Sequence, residues 1–304
     1  MMMVEALDGL GAARTWTVGV QATIAVHRPA ALMGIINATP DSFSDGGLFS
    51  DAGGAADAGE RMASAGATWL DIGGESSRPG AAPVSEALEL ARVLPVIRAL
   101  RERGVTLPVS IDTSKAAVAR AALDAGATAI NDISAGADPG MFALAAERGC
   151  PLILMHMQGL PPSMQHSPRY RDVVEEVGSY LAGRIRAARA QGVAERALLV
   201  DPGIGFGKRY EHNLALLQAL PELEERLDRP LVVGVSRKSL IGQLACAPGV
   251  SPLEPGRRDA ASHILHALLA GSCALLRVHD VAGAASALAM AGALRAAVRG
   301  RHAT

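Results

Sequence analysis

Two kinds of chemistry-bearing residue recur in this chain at the ends of short apolar runs. The first are acceptors: Asp112 in PVSIDTS, Asn131 in TAINDIS and Asp201 in ALLVDPG. Each follows by two positions a residue that faces the same way in an extended chain, Ser110, Ala129 and Leu199. An ionised carboxylate only accepts hydrogen bonds, whereas an amide both donates and accepts. Two carboxylates and one amide facing inward therefore suit a planar heterocycle with adjacent N–H and amino donors. Capping of the following helix is the alternative for either Asp taken alone. The second group is basic: Arg277 and His279 stand two apart in CALLRVHD, Lys238 follows PLVVGVS in SRKS, and Arg78 sits in GESSRPG. Cations so placed suit an anion, phosphate above all, held near a helix N-terminus. A lone basic residue is ordinarily a solvated surface charge, but Arg277 lies inside an apolar run. Asn37, where MGIIN empties into ATPDSFSDGG, can complete a site for magnesium-bound phosphate, although one oxygen ligand is a weak metal signal by itself.

Bringing these residues to one mouth requires a set of parallel strands. Apolar runs end in polar clusters at Asn37, Asp71, Asp112, Asn131, His156, Asp201, Ser236 and His279. Between them lie Ala-rich stretches with helical spacing over 52–65, 85–103, 114–125, 139–148, 170–191, 212–220, 258–270 and 282–298. Several end in a Gly suited to the position just past a helix, Gly149 among them. This alternation predicts an α/β fold whose eight units close a (β/α)8 TIM barrel, with the site at the strand C-termini. An open doubly wound sheet is the rival, but it would carry a GxGxxG-type turn where this chain has NATPDSFSDGG. The Thr/Val/Ile-rich segment 16–26 predicts a short N-terminal strand or hairpin closing the barrel's bottom. The expected organisation is a flexible tail over 1–15, a single domain over 16–299 and a tail over 300–304.

The 29 Lys and Arg nearly balance the 30 Asp and Glu, so no global field points to nucleic acid or an anionic membrane. Cys150, Cys246 and Cys273 are widely spaced among apolar or small residues and read as thiols of a reducing compartment. Glu5 and Asp8 argue against a signal peptide, and no uninterrupted apolar stretch reaches the roughly 20 residues of a spanning helix, so a cytoplasmic location is expected. His263 and His266, three apart without a carboxylate or cysteine pattern, read as packing residues rather than metal ligands. His156 in LMHMQG reads equally as a mouth residue or a structural histidine. GFGK, at 205–208, lacks the spacing of a Walker loop, and no nucleophile elbow is evident.

Together, NATPDSFSDGG, DIGGESSRPGA, SIDTSK, NDIS, LMHMQG, DPGIGFGK, VGVSRKSLIG and RVHDV resemble the dihydropteroate synthase family, in its order and over about residues 33–285. The resemblance implies a folate-pathway transferase, a sulfonamide target. It would join 4-aminobenzoate to 6-hydroxymethyl-7,8-dihydropterin diphosphate and release diphosphate. By the same resemblance the pterin ring meets Asp112, Asn131, Asp201 and Lys238. The diphosphate meets Asn37, Ser77, Arg78, Arg277 and His279, with a magnesium ion at Asn37. The aminobenzoate lies near Phe43, Arg78, Pro79, Lys238 and Ser239. Asp112, Lys238, Arg277 and His279 form the implied catalytic set. Loops over 38–50, hinged at Gly46 and Gly47, and over 73–84 would close over the site and exclude water. Ala38 stands where the family has Val, Ser77 where it has Thr, and Asp259 where it has a small residue, in a helix region that contributes to a homodimer in the family. Two rival functions are a methyltetrahydrofolate-binding methyltransferase domain, which does not need SFSDGG, SRKS and RVHDV together, and a non-catalytic pterin-binding paralogue, whose diphosphate residues would be eroded.

Overall fold

The computed structural model describes residues 14–21, 23–38, 52–246 and 250–302. Phe43 and the Gly46 and Gly47 pair lie outside the described residues. Strands β1 (Arg14–Val18) and β2 (Ile24–Arg28) pair antiparallel, with Val18 opposite Ile24. Val18 and Val26 bury against Met33, Trp69, Ile153 and Leu199, so this hairpin closes the N-terminal end of the sheet that follows.

That sheet has eight parallel strands among the described residues: β3 (Ala31–Asn37), β4 (Trp69–Gly73), β5 (Val109–Asp112), β6 (Ala129–Asp132), β7 (Leu152–Met155), β8 (Leu198–Asp201), β9 (Val232–Val233) and β10 (Leu275–Val278). Its order, β8-β7-β6-β5-β4-β3-β10-β9, leaves β8 and β9 as ends. A parallel bridge between Val200 and Leu231 joins those ends and closes the barrel. Both strand faces are covered, hence the near-continuous apolar runs. Met33, Trp69, Ala129, Ile153, Leu199, Val232 and Leu275 form an apolar interior layer. Two residues further along these strands stand Asp71, Asn131, Asp201 and Arg277, so a polar layer is stacked directly on the apolar one.

Helices α1 (Ala52–Ser64), α2 (Glu86–Glu102), α3 (Ala116–Asp124), α4 (Pro139–Arg148), α5 (Val173–Ala190), α6 (Tyr210–Gln218), α7 (Leu220–Leu227), α8 (Ser239–Leu244), α9 (Asp259–Leu269) and α10 (Val281–His302) follow the strands. Their apolar faces meet the outer strand faces in the main core. Asp138 serves two helix starts: Oδ1 accepts from Gly140 N at 2.8 Å and Oδ2 from Ala116 N at 2.9 Å. Gly149 ends α4 in the left-handed region, φ 54°.

Three features differ from the sequence expectation. The stretch 212–220 belongs to two helices, α6 and α7, because Pro221 restarts a helix in its first turn. Asp71 is a mid-strand residue, since β4 runs on to Gly73. Helix α10 continues to His302, past the helical stretch expected over 282–298.

Candidate active site

Arg277 projects from β10 into the barrel mouth, where it bridges two carboxylates. Its Nε donates to Asp71 Oδ2, and its Nη2 donates to Asp112 Oδ2 at 2.5 Å. Burial alone would lower the guanidinium's pKa, but Asp71 and Asp112 outweigh it and hold Arg277 above its ordinary value. Burial pushes Asp112 up to about 7, against the pull of Arg277 and with the repulsion of Asp71 added. Asp71 was not among the expected site residues, yet it touches more of the mouth than any of them: Ser110 Oγ donates to its Oδ1 at 2.6 Å, and Asn131 Nδ2 lies 3.2 Å from its Oδ2. The available signal was parity, because Asp71 faces the same way as the inward Trp69.

Asn131 and Asp201 are buried in the same layer, and Asn131 stands in register with Asp112. The capping alternative fails for both aspartates. Asp112 is engaged by Arg277, and α3 starts without a side-chain cap. Asp201 Oδ1 accepts from Gly203 N at 2.6 Å within its own turn. Burial raises the pKa of Asp201, and Lys238 opposes that shift.

Lys238 donates from Nζ to Ile204 O at 2.5 Å, and the same atom lies 4.6 Å from the centre of the Phe206 ring. Burial lowers Lys238 to about 8, while Asp201 pulls it back up. Phe206 joins Met155 and Met164 in a buried apolar cluster that walls this side. None of the three is among the residues expected from the sequence, where GFGK lacks Walker spacing, although Met155 shares the inward parity of Ile153. The turn carrying Phe206 presses on the loop after β7. A Cβ at Gly203, φ 68°, would stand 1.8 Å from His156 O, so only glycine fits there.

His279, two residues beyond Arg277, is held in place by Ser236. Ser236 Oγ accepts the His279 backbone N–H at 3.3 Å and lies 3.0 Å from Nδ1. With the serine O–H donating to Nδ1, the proton of the neutral ring sits on Nε2. Burial, then the charges of Arg237, Arg277 and Arg78, push His279 down to about 3. Arg237, with φ 60°, forms a bidentate pair with Asp259 at 2.6 and 2.8 Å, which gives the unusual Asp259 a structural partner in the SRKS turn.

The structure thus brings Asp112, Asn131, Asp201, Lys238, Arg277 and His279 to one mouth. Asn37 is half-buried at the end of β3 and Ser77 half-buried after β4, while Arg78, Pro79 and Ser239 are exposed on the rim. Gly80 N donates to Pro161 O at 3.3 Å, so the loop after β4 reaches the loop after β7. Among the described residues no three His, Cys, Asp or Glu are grouped to hold a metal ion. His263 Nε2 pairs with Asp280 Oδ2 at 3.1 Å and His266 is buried.

Residues 33–279 match the family model of the pterin binding enzymes. The chain is 46% identical over 250 residues to a dihydropteroate synthase of Escherichia coli, covering 82% of this chain and 86% of that one. To that of Mycobacterium leprae it is 43% identical over 268 residues, covering 87% and 93%. Its fold matches a Yersinia pestis dihydropteroate synthase solved with a sulfonamide drug at a TM-score of 0.82 and 44% identity, over 93% of this chain and all of that one (100%). The Xanthomonas albilineans enzyme in complex with 7,8-dihydropteroate matches at a TM-score of 0.77 and 44% identity, over 88% and 94%. With the motifs, the closed barrel and these relatives in agreement, the chain belongs to the pterin binding enzyme family, among its dihydropteroate synthases.

Proposed function

We propose that this chain condenses 4-aminobenzoate with 6-hydroxymethyl-7,8-dihydropterin diphosphate, giving 7,8-dihydropteroate and diphosphate in folate biosynthesis, with the mouth residues in the following roles. The observation that carries this reading is Arg277 fixed beside a row of acceptors, Asp112, Asn131 and Asp201. The acceptors and Lys238 face the pterin ring. Arg277 Nη1, which has no protein partner among the described residues, and His279 Nε2 face the diphosphate, with Ser77 and Arg78 beside them. Arg78, Pro79, Lys238 and Ser239 line the place of the aminobenzoate.

Diphosphate departs from the pterin methylene carbon with the electron pair of the C–O bond, and the positive charge left behind spreads into the ring. Asp112 and Asp201, held rigidly in a buried layer, stabilise that charge, while Arg277 and His279 stabilise the departing anion. The amine then attacks the methylene carbon and sheds a proton to solvent. An aromatic amine is neutral near pH 7, so the step needs no strong base, in keeping with a His279 that stays neutral. A magnesium ion would neutralise diphosphate oxygens. Asn37 fits such an ion as a single amide oxygen without a partner among the described residues, the other ligands coming from diphosphate and water.

The relatives' complexes support sulfonamides as competitors for the aminobenzoate place. Free thiols at Cys150, Cys246 and Cys273 support a reducing, cytoplasmic location. Two exposed i,i+4 apolar pairs, Ile264 with Leu268 on α9 and Met290 with Leu294 on the adjoining α10, support a homodimer through that face. The test is direct: purified protein, magnesium, the pterin diphosphate and 4-aminobenzoate should give dihydropteroate and diphosphate. Absence of product overturns the reading.

A further inference from the structure

Asp71 is fully buried and holds three side chains of the mouth at once. Oδ1 accepts from Ser110 Oγ at 2.6 Å, Oδ2 accepts from Arg277 Nε, and Asn131 Nδ2 lies 3.2 Å from Oδ2 and 3.4 Å from Oδ1. The two ends of a primary amide are alike in outline and opposite in polarity, whereas an ionised carboxylate offers acceptors only. A carboxylate at 3.2 Å therefore decides which end of Asn131 faces it. The amino end turns to Asp71, and Oδ1 is left for the mouth, where no other protein group among the described residues engages it.

We propose that Asp71 is a positioning residue for ring recognition: it fixes the Asn131 amide so that Oδ1, rather than the amino group, faces the ligand. Asn131 Oδ1 then extends the acceptor row of Asp112 and Asp201, and the mouth selects a ring edge carrying adjacent donors. With the amide free to turn, that row becomes mixed, and a ring bearing a carbonyl in place of its exocyclic amino group finds a donor. This inference rests on the assignment of the pterin ring to Asp112, Asn131 and Asp201.

A second role for Asp71 is plain, since it is also a countercharge to Arg277. The two roles predict different outcomes. Loss of a countercharge weakens every ring ligand alike, whereas loss of amide polarity changes the preference between rings. The experiment titrates 6-hydroxymethylpterin and its 2-oxo counterpart, 6-hydroxymethyllumazine, into the purified full-length protein and reads the ratio of the two dissociation constants. Wild type should favour the 2-amino ring by about tenfold or more, the discrimination set by one buried unsatisfied group. Asp71→Asn should cut that ratio severalfold. The Asp71→Asn/Asn131→Asp double variant should restore it, because an amide at position 71 can donate to a carboxylate at position 131.

An unchanged ratio in Asp71→Asn, or a double variant no more selective than that single one, overturns the role of Asp71 while leaving the pterin reading intact. Wild-type protein that binds neither ring overturns the pterin reading and the proposal with it. Should Asp71→Asn fail to fold, the unmutated protein still decides. With isotope-labelled asparagine, one Asn131 side-chain proton should exchange slowly with and without pterin, and two rapidly exchanging protons would refute the fixed amide.

Discussion

Lys208 donates from Nζ to Nδ1 of His156 at 2.9 Å, with both residues buried and no carboxylate hydrogen-bonded to the lysine among the described residues. The same ammonium donates to Gly203 O at 2.9 Å and Phe206 O at 3.1 Å, so its donors are spent on neutral acceptors. Burial lowers Lys208 to about 7. His156, with Nδ1 accepting and its ring 4.9 Å from that of Tyr180, is held neutral: burial, then the lysine charge, push it down to about 3. The histidine is thus structural. The turn knotted by Lys208 is the one that offers Ile204 O and the Phe206 ring to Lys238.

Lys208→Met should therefore reach the site through Lys238. It leaves buried carbonyls without donors, at a cost of roughly 1–3 kcal/mol in stability. It should also lower kcat/KM for the pterin diphosphate by about tenfold, as expected when a supporting contact shifts a reacting geometry. Urea unfolding and steady-state kinetics measure the two effects, and unaltered kinetics in a destabilised variant would detach Lys208 from the site.

Asp112 stabilises positive charge only when ionised, and burial pushes its carboxyl up to about 7. Below that pH the carboxyl is neutral, so kcat/KM should fall by about tenfold per pH unit on the acid side. Asp112→Asn should be slow and lack this limb. A wild-type profile flat down to pH 5 would show that Asp112 is not the group whose ionisation matters.

Arg277→Ala should cost both catalysis and stability, because Asp71 and Asp112 would be left as unpaired carboxylates in the barrel. Breaking a buried pair on one side costs roughly 3–5 kcal/mol. Arg277→Lys keeps the charge without the two-pronged reach, so it should recover most of the stability and little of the turnover. Equal recovery of both would deny the guanidinium geometry any part in catalysis.

His266 is buried on α9 with neither ring nitrogen hydrogen-bonded among the described residues. Burial, then the charge of His263, lower it from 6.5 to about 4. The unfolded chain takes up a proton below about pH 6.5 that the folded chain refuses, so stability falls as pH drops from there toward 4, by about 1.4 kcal/mol per pH unit per such group. His266→Leu should be more stable at pH 7 by about 1 kcal/mol and show a larger advantage at pH 5. Identical advantages at the two pH values would mean that His266 does not titrate as a buried neutral ring.

The sequence displays what repeats and hides what crosses. Asp112, Asn131, Asp201 and Arg277 were legible because strand alternation alone puts them on the inner face at one level. The barrel was legible because eight apolar runs alternate with helical stretches. The inward parity of Asp71 was legible on the same ground, but its role was not, since its three partners come from β5, β6 and β10 and only the folded barrel assembles them. Lys208 was hidden for the same reason: its meaning depends on His156, 52 residues earlier, and on carbonyls that a sequence does not rank. The split between α6 and α7 was missed because both helices are amphipathic and only Pro221 marks the restart.

Strand β9 contributes only Val232 and Val233 to its ladder with β10, and one bridge ties its start to β8. Every other neighbouring pair in the barrel is stitched over a longer register. A cylinder opens first along its thinnest seam, and here that seam carries at its end Ser236 and Lys238, the supports of His279 and of the Phe206 wall. On warming, substrate affinity is therefore expected to fall before the acceptor layer on β5 and β6 loosens, so activity should be lost at a lower temperature than the fold.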